Sequence, residues 1–198
     1  MAPLLPEEIS PDPLRALCAW IDESRATGQP QPLAMTLATA GQDGRPSARM
    51  VFVRRWGPHG LEWITDGRSR KAREVAARAD AAGVFFWAGM GRQVRVEGPV
   101  HLLPDDEVAD HIARRRPQAR RAARAWRQGE PLRSRGDLHR RLAAVPPDDD
   151  PGAMPPGWVG HRLEPRVIEF WQEDPDGLHD RILAARGAAG WAVERLAP

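Results

Sequence analysis

Short stretches of alternating apolar and polar residues cover most of the chain. Leu33–Ala40 and Ser47–Arg55 have the two-residue period of strands, and a turn around Asp43-Gly44 joins them. The further segments with a strand pattern are 61–65, 82–87, 93–103, 158–163, 166–172, 178–185 and 191–196. Because the first strands are joined by hairpin turns and not by crossover helices, the pattern predicts a closed antiparallel β-barrel and disfavours a Rossmann sheet.

Helical spacing marks fewer segments, which we expect to pack outside the barrel. Asp12-Pro13 is a typical N-cap with proline at the first helical position, and it predicts a helix over 13–25. Asp66 or Ser69 is a suitable cap for a second helix over 69–79. Three more helices are predicted over 105–116, 118–126 and 135–144.

Two segments lack a regular pattern within what we expect to be a single domain of 198 residues. Residues 1–12 are expected to form a flexible arm. Residues 145–157 are rich in Pro, Asp and Gly, which is typical of a linker or mobile loop. Asp148–Asp150 lies in this loop without the spaced glycine and glutamate of a calcium loop, so no metal site is expected.

Composition excludes several classes of protein. The 29 basic residues are nearly balanced by 27 acidic ones, and the formal net charge is only +2, which argues against a dedicated nucleic-acid binder. The single cysteine, Cys18, excludes an internal disulfide and fits a reducing cytoplasm. No apolar run is long enough to cross a membrane, and the first residues lack the pattern of a signal peptide. We therefore expect a cytoplasmic protein without membrane or nucleic-acid partners.

A basic cluster in the first half of the chain is the most informative chemical feature. Arg49 and Arg54 flank the second apolar strand, and Arg70 and Lys71 stand at the start of the following helix. A helix start offers free N–H groups and a positive dipole end, and arginines add charge-assisted donors. Lys71 is the only lysine of the chain. The cluster predicts a phosphate ligand, although a solvated basic helix end would have the same composition.

Several separated motifs resemble, in the same order, the pyridoxamine 5'-phosphate oxidase family. These motifs are Met35–Thr39, Asp43–Val51, Ser69–Lys71, Arg92–Gly98, Ile168–Gln172, Leu178–Arg181 and the closing Arg195–Pro198. The resemblance implies a fold that is mainly β with peripheral helices, namely the FMN-binding split barrel. It also implies a homodimer with FMN at the subunit interface. The implied reaction oxidises a C–N bond of a small-molecule substrate, with O₂ taking the electrons and releasing H₂O₂.

The resemblance also implies which residues hold FMN. Arg49, Arg70 and Lys71 would bind the phosphate. The residues expected along the ring and the ribityl chain are Met50, Val51, Phe52, Val53, Arg54, Ile64, Thr65, Gln93 and Gln128. Trp171 and Arg181 would come from the partner chain, and a cation such as Arg181 near the N1–C2 side of the ring favours the anionic reduced flavin.

On the substrate side the chain departs from the family pattern. Arg54 replaces a lysine, and Ile112 stands near the position of a tyrosine in a chain that has no tyrosine. The family's substrate arginine corresponds to Arg116, and its serine corresponds to Arg120. Arg54, Arg116 and Arg120 are nevertheless the residues expected to bind the substrate anion.

The last substrate motif also differs. The family's Arg-Leu-His triplet becomes Gly177-Leu178-His179, so that one guanidinium is lost and His179 remains. We expect His179 and Arg54 to have catalytic roles. Three functions stay open: an oxidase of pyridoxine or pyridoxamine 5'-phosphate, an oxidase of dihydro-aromatic, phenazine-like intermediates in secondary metabolism, and a non-catalytic FMN-binding protein. A nucleic-acid role for the arginine-rich helices over 111–141 is a fourth, weaker alternative.

Overall fold

A computed structural model describes residues 3–146 and 154–198. Its strands are β1 (Ala34–Ala40), β2 (Pro46–Phe52), β3 (Arg55–Gly57), β4 (Gly60–Asp66), β5 (Asp80–Trp87), β6 (Arg92–Leu102), β7 (Trp158–Leu163), β8 (Val167–Gln172), β9 (Asp180–Gly187) and β10 (Gly190–Arg195). Its α-helices are α1 (Pro6–Ile9), α2 (Pro13–Ala26), α3 (Arg70–Ala77), α4 (Asp105–Ala113), α5 (Pro117–Ala125) and α6 (Arg135–Ala144). A short 3₁₀ turn, Ala88–Met90, joins β5 to β6.

All strands of the described residues pair antiparallel in one branched sheet. The main path runs β10-β9-β8-β6-β5-β1-β2, and β7 pairs with both β6 and β4 while β3 pairs with β4. The long strand β6 therefore has three neighbours, and the sheet curls around it into two connected parts. This curled antiparallel sheet with helices outside confirms the predicted split barrel.

The inner side chains of the curled sheet form the main core. Strand β1 alternates between buried and half-buried residues, and it buries Met35 and Leu37. Phe170 of β8 is fully buried and meets the ring of Trp20 on α2 edge to face, with 5.1 Å between ring centroids. Because this alternation leaves every second residue on the other face, the sheet also presents a long outer face that the core does not use.

Most element boundaries agree with the sequence pattern, and the differences have local causes. The Asp12 side chain accepts a hydrogen bond from the Arg15 amide at 3.1 Å, and α2 begins at Pro13 as predicted. The strand predicted over 47–55 instead ends at Phe52. The amide of Arg54 donates to the carbonyl of Glu62 at 2.7 Å, so that the chain leaves β1 and pairs with β4. The last hairpin begins at Asp180 rather than at residue 178.

The N-terminal segment differs from the flexible arm that the sequence suggested. Leu4 and Ile9 are buried in the core, and Ile9 ends helix α1. The amide of Leu4 donates to Asp180 Oδ2 at 2.8 Å, and the guanidinium of Arg195 donates to the carbonyl of Leu4 at 2.6 Å. These apolar and polar contacts tie the segment to β9 and β10. Of the loop predicted over 145–157, residues 147–153 lie outside the described residues.

Candidate active site

A cavity of about 310 Å³ opens where β2, β4 and the start of α3 meet. Its lining residues are Met50, Val51, Phe52, Arg54, Ile64, Thr65, Lys71, Arg115, Gln128 and Trp158. All of them except Arg115 and Trp158 are among the residues that the family motifs predict for FMN. The fold therefore brings predicted residues from four separate sequence segments to one place, and Arg115 and Trp158 add two further segments.

Gln128 forms the polar floor of the cavity. Its Oε1 accepts hydrogen bonds from Thr65 Oγ1 at 2.8 Å and from Lys71 Nζ at 3.1 Å, and its backbone N–H donates to Asp66 Oδ2 at 3.1 Å. Burial, together with the nearby charge of Arg49, lowers the pKa of Lys71. The ammonium of Lys71 thus bonds to a neutral amide, and it is available for an anion that enters the cavity.

Two arginines complete the positive lining. The guanidinium carbon of Arg115 lies 4.6 Å from the ring centre of Trp158, and its Nε and Nη1 are buried without a hydrogen-bond partner among the described residues. Burial and the nearby charge of Arg54 lower the pKa of Arg115, and burial lowers the pKa of Arg54. No aspartate or glutamate is among the described residues that line the cavity, so the charge of this lining favours an anion.

Arg49 and Arg70 lie beside the cavity and share one buried carboxylate. Arg49 Nη2 donates to Glu74 Oε2 at 3.0 Å, and Arg70 Nε donates to Glu74 Oε1 at 2.7 Å. The hydroxyls of Thr39 and Ser47 donate to the same carboxylate. Burial alone would raise the pKa of Glu74, but these hydrogen bonds hold it down at about 2. Glu74 was not predicted from the sequence; its place one helical turn after Arg70 is the signal that could have found it.

A second group of predicted residues lies elsewhere on the sheet. Gln93, Trp171 and Arg181 are direct neighbours across β6, β8 and β9. The ring of His179 lies 4.9 Å from that of Trp171, and its Nδ1 accepts from the amide of Asp174 at 3.1 Å. Strands β1 and β5 separate β2 from β6, which at ~4.8 Å per strand puts this group about 14 Å or more from β2. Within one chain the group does not join the cavity.

The structure places the predicted substrate residues in different surroundings. Arg115 lines the cavity, whereas Arg116 is exposed at the start of α5 and is absent from the lining. Arg120 is buried, and its Nη1 donates to the carbonyls of Arg115 and Ala113 at 2.7 and 3.3 Å, so it holds the main chain. Arg115 lies beyond the end of α4 at Ala113, where its amide donates to the carbonyl of Ile112 at 2.9 Å, so the sequence pattern offers no signal that separates it from Arg116.

Ile112 itself belongs to a second core cluster and takes no part in the cavity. The arginines that follow it on α5 also serve the fold. Arg121 Nε donates to the carbonyl of Val145 at 2.9 Å, and Arg124 Nη2 donates to that of Pro146 at 3.1 Å. These contacts disfavour the interpretation of α5 as a free basic face for nucleic acid.

A larger cavity, of about 580 Å³, lies behind α3 and has a different character. Its walls are mostly apolar, and neither arginine nor lysine is among the described residues that line it. His161 is buried there and stacks on Trp63 with 5.5 Å between ring centroids. Burial and the nearby charge of Lys71 lower the pKa of His161 to about 4. A neutral histidine in an apolar wall does not make an anion site, so the smaller cavity is the candidate.

Comparison with known proteins decides the family. Residues 21–145 match the family model described as pyridoxamine 5'-phosphate oxidase, and residues 158–198 match the pyridoxine 5'-phosphate oxidase C-terminal dimerisation region. The chain belongs to the pyridoxamine 5'-phosphate oxidase family. The match to the dimerisation region supports a homodimer. In the described residues, no helix is long and apolar enough to span a membrane.

Individual relatives cover nearly the whole chain. A pyridoxine/pyridoxamine 5'-phosphate oxidase of Rubrobacter xylanophilus is 41% identical over 199 residues, which is 100% of this chain and 92% of the relative. That of Burkholderia multivorans is 41% identical and covers 96% of this chain and 91% of the relative. The crystal structure of PhzG from Burkholderia lata 383, in complex with tetrahydrophenazine-1-carboxylic acid, superposes with a TM-score of 0.87 at 29% identity, covering 100% of this chain and 99% of that one.

Membership of this family supports FMN as the cofactor. A more distant structure, a pyridoxamine 5'-phosphate oxidase-related FMN-binding protein of Nostoc punctiforme, has the same fold, with a TM-score of 0.75 at 22% identity over 92% of this chain and 96% of that one. The residues of the cavity fit such a group: within the described residues, Lys71 faces it without a carboxylate partner, and Arg115 has buried donors that lack acceptors.

Proposed function

We propose that this protein is an FMN-dependent oxidase. It carries out the two-electron oxidation of a small anionic amine or reduced heterocycle, with O₂ as the acceptor and H₂O₂ as the second product. The observation that carries the proposal is the convergence of Lys71, Arg54 and Arg115 on a cavity whose described lining has no carboxylate. Family membership supplies the chemistry, since the relatives are named as oxidases of phosphorylated ring compounds.

We further propose that FMN lies between two copies of the chain. Strand register places Met50 and Phe52 on the outer face of the sheet, together with Phe86, and these three side chains are 56%, 44% and 62% exposed. Gln93 is the cross-strand partner of Phe86. The row of neighbours Gln93, Trp171 and Arg181 therefore lies on this same face. An exposed apolar face of this kind favours self-association. A two-fold pairing of this face would bring the row of one chain to the cavity of the other.

In this arrangement each group has a defined task. Lys71, with Arg49 and Arg70 beside it, holds the phosphate, while Thr65 and Gln128 offer hydrogen bonds to the polar chain. Arg181 of the partner subunit provides positive charge where the reduced ring becomes negative. When bound, FMN would supply the redox chemistry: the substrate gives up two electrons and two protons, of which one proton goes with the electrons to the flavin and the other to solvent, and O₂ takes up two electrons and two protons as H₂O₂.

The remaining residues bind and orient the substrate. Arg54 and Arg115 face the cavity as two partly desolvated guanidiniums, and they bind the substrate anion. His179 accepts from the Asp174 amide at Nδ1, so the neutral ring carries its proton on Nε2 and can donate it to a substrate heteroatom. The protein thus supplies orientation and charge, without a strong general base.

Two substrate classes compete for this site. The curated relatives are named for pyridoxine and pyridoxamine 5'-phosphate, whereas the PhzG structure contains a reduced aromatic carboxylate. The stack of Arg115 on Trp158 suits a flat anion, and Gly177 offers no guanidinium where the family pattern has arginine. These two observations favour a reduced heteroaromatic carboxylate as the second candidate beside the phosphorylated B6 compounds.

An oxygen-consumption screen of the FMN-loaded protein tests the proposal. Pyridoxine 5'-phosphate, pyridoxamine 5'-phosphate and dihydro-heteroaromatic carboxylates are each supplied, and H₂O₂ is measured alongside O₂. We expect one of the classes to give equal amounts of O₂ consumed and H₂O₂ formed. A protein that binds FMN but gives no O₂ uptake with any of them would instead be a non-catalytic FMN-binding protein.

A further inference from the structure

Glu74 stands between the two arginines that the family motifs assign to the FMN phosphate. It lies on α3 and is only 7% exposed. Its Oε2 accepts from Arg49, from Thr39 Oγ1 at 2.5 Å and from Ser47 Oγ at 2.6 Å, while its Oε1 accepts from Arg70. One carboxylate on a helix thus joins donors from β1, β2 and the first turn of α3.

The two arginines are fixed to different degrees. Arg49 also donates to the carbonyl of Leu37 at 3.1 Å and to Thr39 Oγ1 at 2.6 Å, so both of its terminal nitrogens already have partners. Arg70 uses Nε towards Glu74, and its side chain is 63% exposed. Neither terminal nitrogen of Arg70 has a partner among the described residues. Glu74 therefore orients the guanidinium of Arg70, and the two terminal nitrogens of Arg70 remain able to donate to a ligand.

The charges of the group also match a phosphate monoester. Arg49, Arg70 and Lys71 carry three positive charges, and Glu74 removes one of them. The remaining two balance a phosphate, which carries −1.5 to −2 at neutral pH. The carboxylate is ionised throughout the neutral range, since its hydrogen bonds hold its pKa at about 2.

We propose that Glu74 is a positioning residue of the cofactor site, which holds Arg49 and Arg70 in the orientation that receives the phosphate of FMN. This inference rests on the proposed function. Glu74 restricts the rotamers of the two long arginine side chains already in the folded, cofactor-free protein. Less conformational entropy is then lost when the cofactor binds, which increases its affinity. Charge alone predicts the opposite effect, because a carboxylate near a phosphate repels it.

The test measures the dissociation constants of FMN and of riboflavin by quenching of flavin fluorescence on the flavin-free protein. Riboflavin has the same ring and ribityl chain but no phosphate. We expect Glu74→Ala to weaken FMN binding about tenfold or more, although it adds a positive charge to the site. Glu74→Gln should lose less, because its amide oxygen still accepts a hydrogen bond from one arginine. Riboflavin binding should not change in either variant.

Glu164→Gln is the matched control, since Glu164 also pairs with two arginines, Arg166 and Arg186, but does not line the cavity. It should leave both constants unchanged. Equal or tighter FMN binding by Glu74→Ala, or an equal loss of riboflavin, would overturn the inference. If Glu74→Ala fails to fold, Glu74→Gln decides, and unchanged FMN affinity in it overturns the inference. Wild-type protein that does not bind FMN would instead overturn the proposed function itself.

Discussion

Replacing Arg115 by methionine should have opposite effects on stability and on ligand binding. In the free protein the guanidinium keeps two buried donors that find no acceptor in the part of the chain that the structure describes, and each such unmade hydrogen bond costs about 1–3 kcal/mol. The cation–π contact of Arg115 with Trp158 stabilises the folded chain by about 0.5–2 kcal/mol. Methionine has a similar length and packs well on an aromatic ring, so it keeps much of the apolar contact.

With the lower figure for each donor, the two unmade bonds cost about 2 kcal/mol and the lost part of the Trp158 contact offsets about 1 kcal/mol, so Arg115→Met should raise the free energy of unfolding of the cofactor-free chain by about 1 kcal/mol. For a chain of this size that corresponds to a rise in Tm of about 2–4 °C. The substrate anion loses a charge-assisted partner worth about 1.5–3 kcal/mol, so its affinity should fall by about 10- to 150-fold. Thermal unfolding of the flavin-free protein measures the first effect. Titration with pyridoxal 5'-phosphate and with a heteroaromatic carboxylate, followed by flavin absorbance, measures the second.

Arg116→Met is the matched control, because Arg116 is the exposed neighbour that the family motif suggested. It should change neither the Tm nor the affinity. The reasoning is refuted if Arg116→Met, and not Arg115→Met, weakens binding of the anion. It is also refuted if Arg115→Met lowers the Tm and leaves the affinity unchanged, since Arg115 would then be a structural residue.

Three further predictions follow from the same contacts. The double variant Arg49→Ala/Lys71→Ala should purify colourless, because the phosphate loses two of its cations; a variant that keeps wild-type FMN occupancy by absorbance would contradict this. Since His161 titrates near pH 4 in the folded chain and at 6.5 unfolded, the unfolded state binds more protons between these values, and stability should fall by about 3 kcal/mol from pH 6.5 to 4. His161→Phe should flatten that part of a Tm-against-pH curve, and an unchanged curve would refute the assignment. Gly177→Arg should cost about 1–2 kcal/mol of stability, because its backbone φ is 78°, but should lower the KM for pyridoxine 5'-phosphate; an unchanged KM would show that the missing arginine does not decide the substrate.

The periodicity of the sequence predicts most of the fold. Alternation in residues 33–40 and 82–87 marks β1 and β5, and the Asp12-Pro13 signal marks the start of α2 at the observed residue. The segment before that helix was missed, because Leu4 and Ile9 are too few to show a period. Their burial depends on contacts with β9 and β10, which are distant in sequence.

For the cavity, sequence motifs predict the parts that are contiguous. Met50–Phe52, Ile64-Thr65 and Lys71 come from short runs whose local structure fixes where they lie. Trp158 carries no such signal, because its place depends on the pairing of β7 with β4. Arg115 and Arg116 belong to three consecutive arginines between α4 and α5, where no helical pattern distinguishes them, and only the folded chain shows that Arg115 lines the cavity.

The same limit applies to the carboxylates that hold the cations. Glu169 lies in a predicted strand, and only the sheet register shows that it accepts from Arg181 Nε at 3.0 Å and pairs with Arg95 at 3.1 Å. Glu74 and Glu169 therefore have parallel tasks on the two halves of the proposed site. Glu74 is a buried acid that fixes Arg49 and Arg70 beside the cavity. Glu169 is a buried acid that fixes Arg95 and Arg181 on the outer face of the sheet.

The central claim, a flavin site shared by two chains, is tested most directly by mixed dimers. One chain carries Arg49→Ala/Lys71→Ala, the other carries Trp171→Ala/Arg181→Ala, and two different affinity tags isolate the mixed species. Each variant dimer alone lacks one half of every site and should not retain FMN. The mixed dimer has one site with both halves intact, so we expect one FMN per two chains. A mixed dimer without FMN, or a Trp171→Ala/Arg181→Ala homodimer that keeps full FMN, would contradict the shared site.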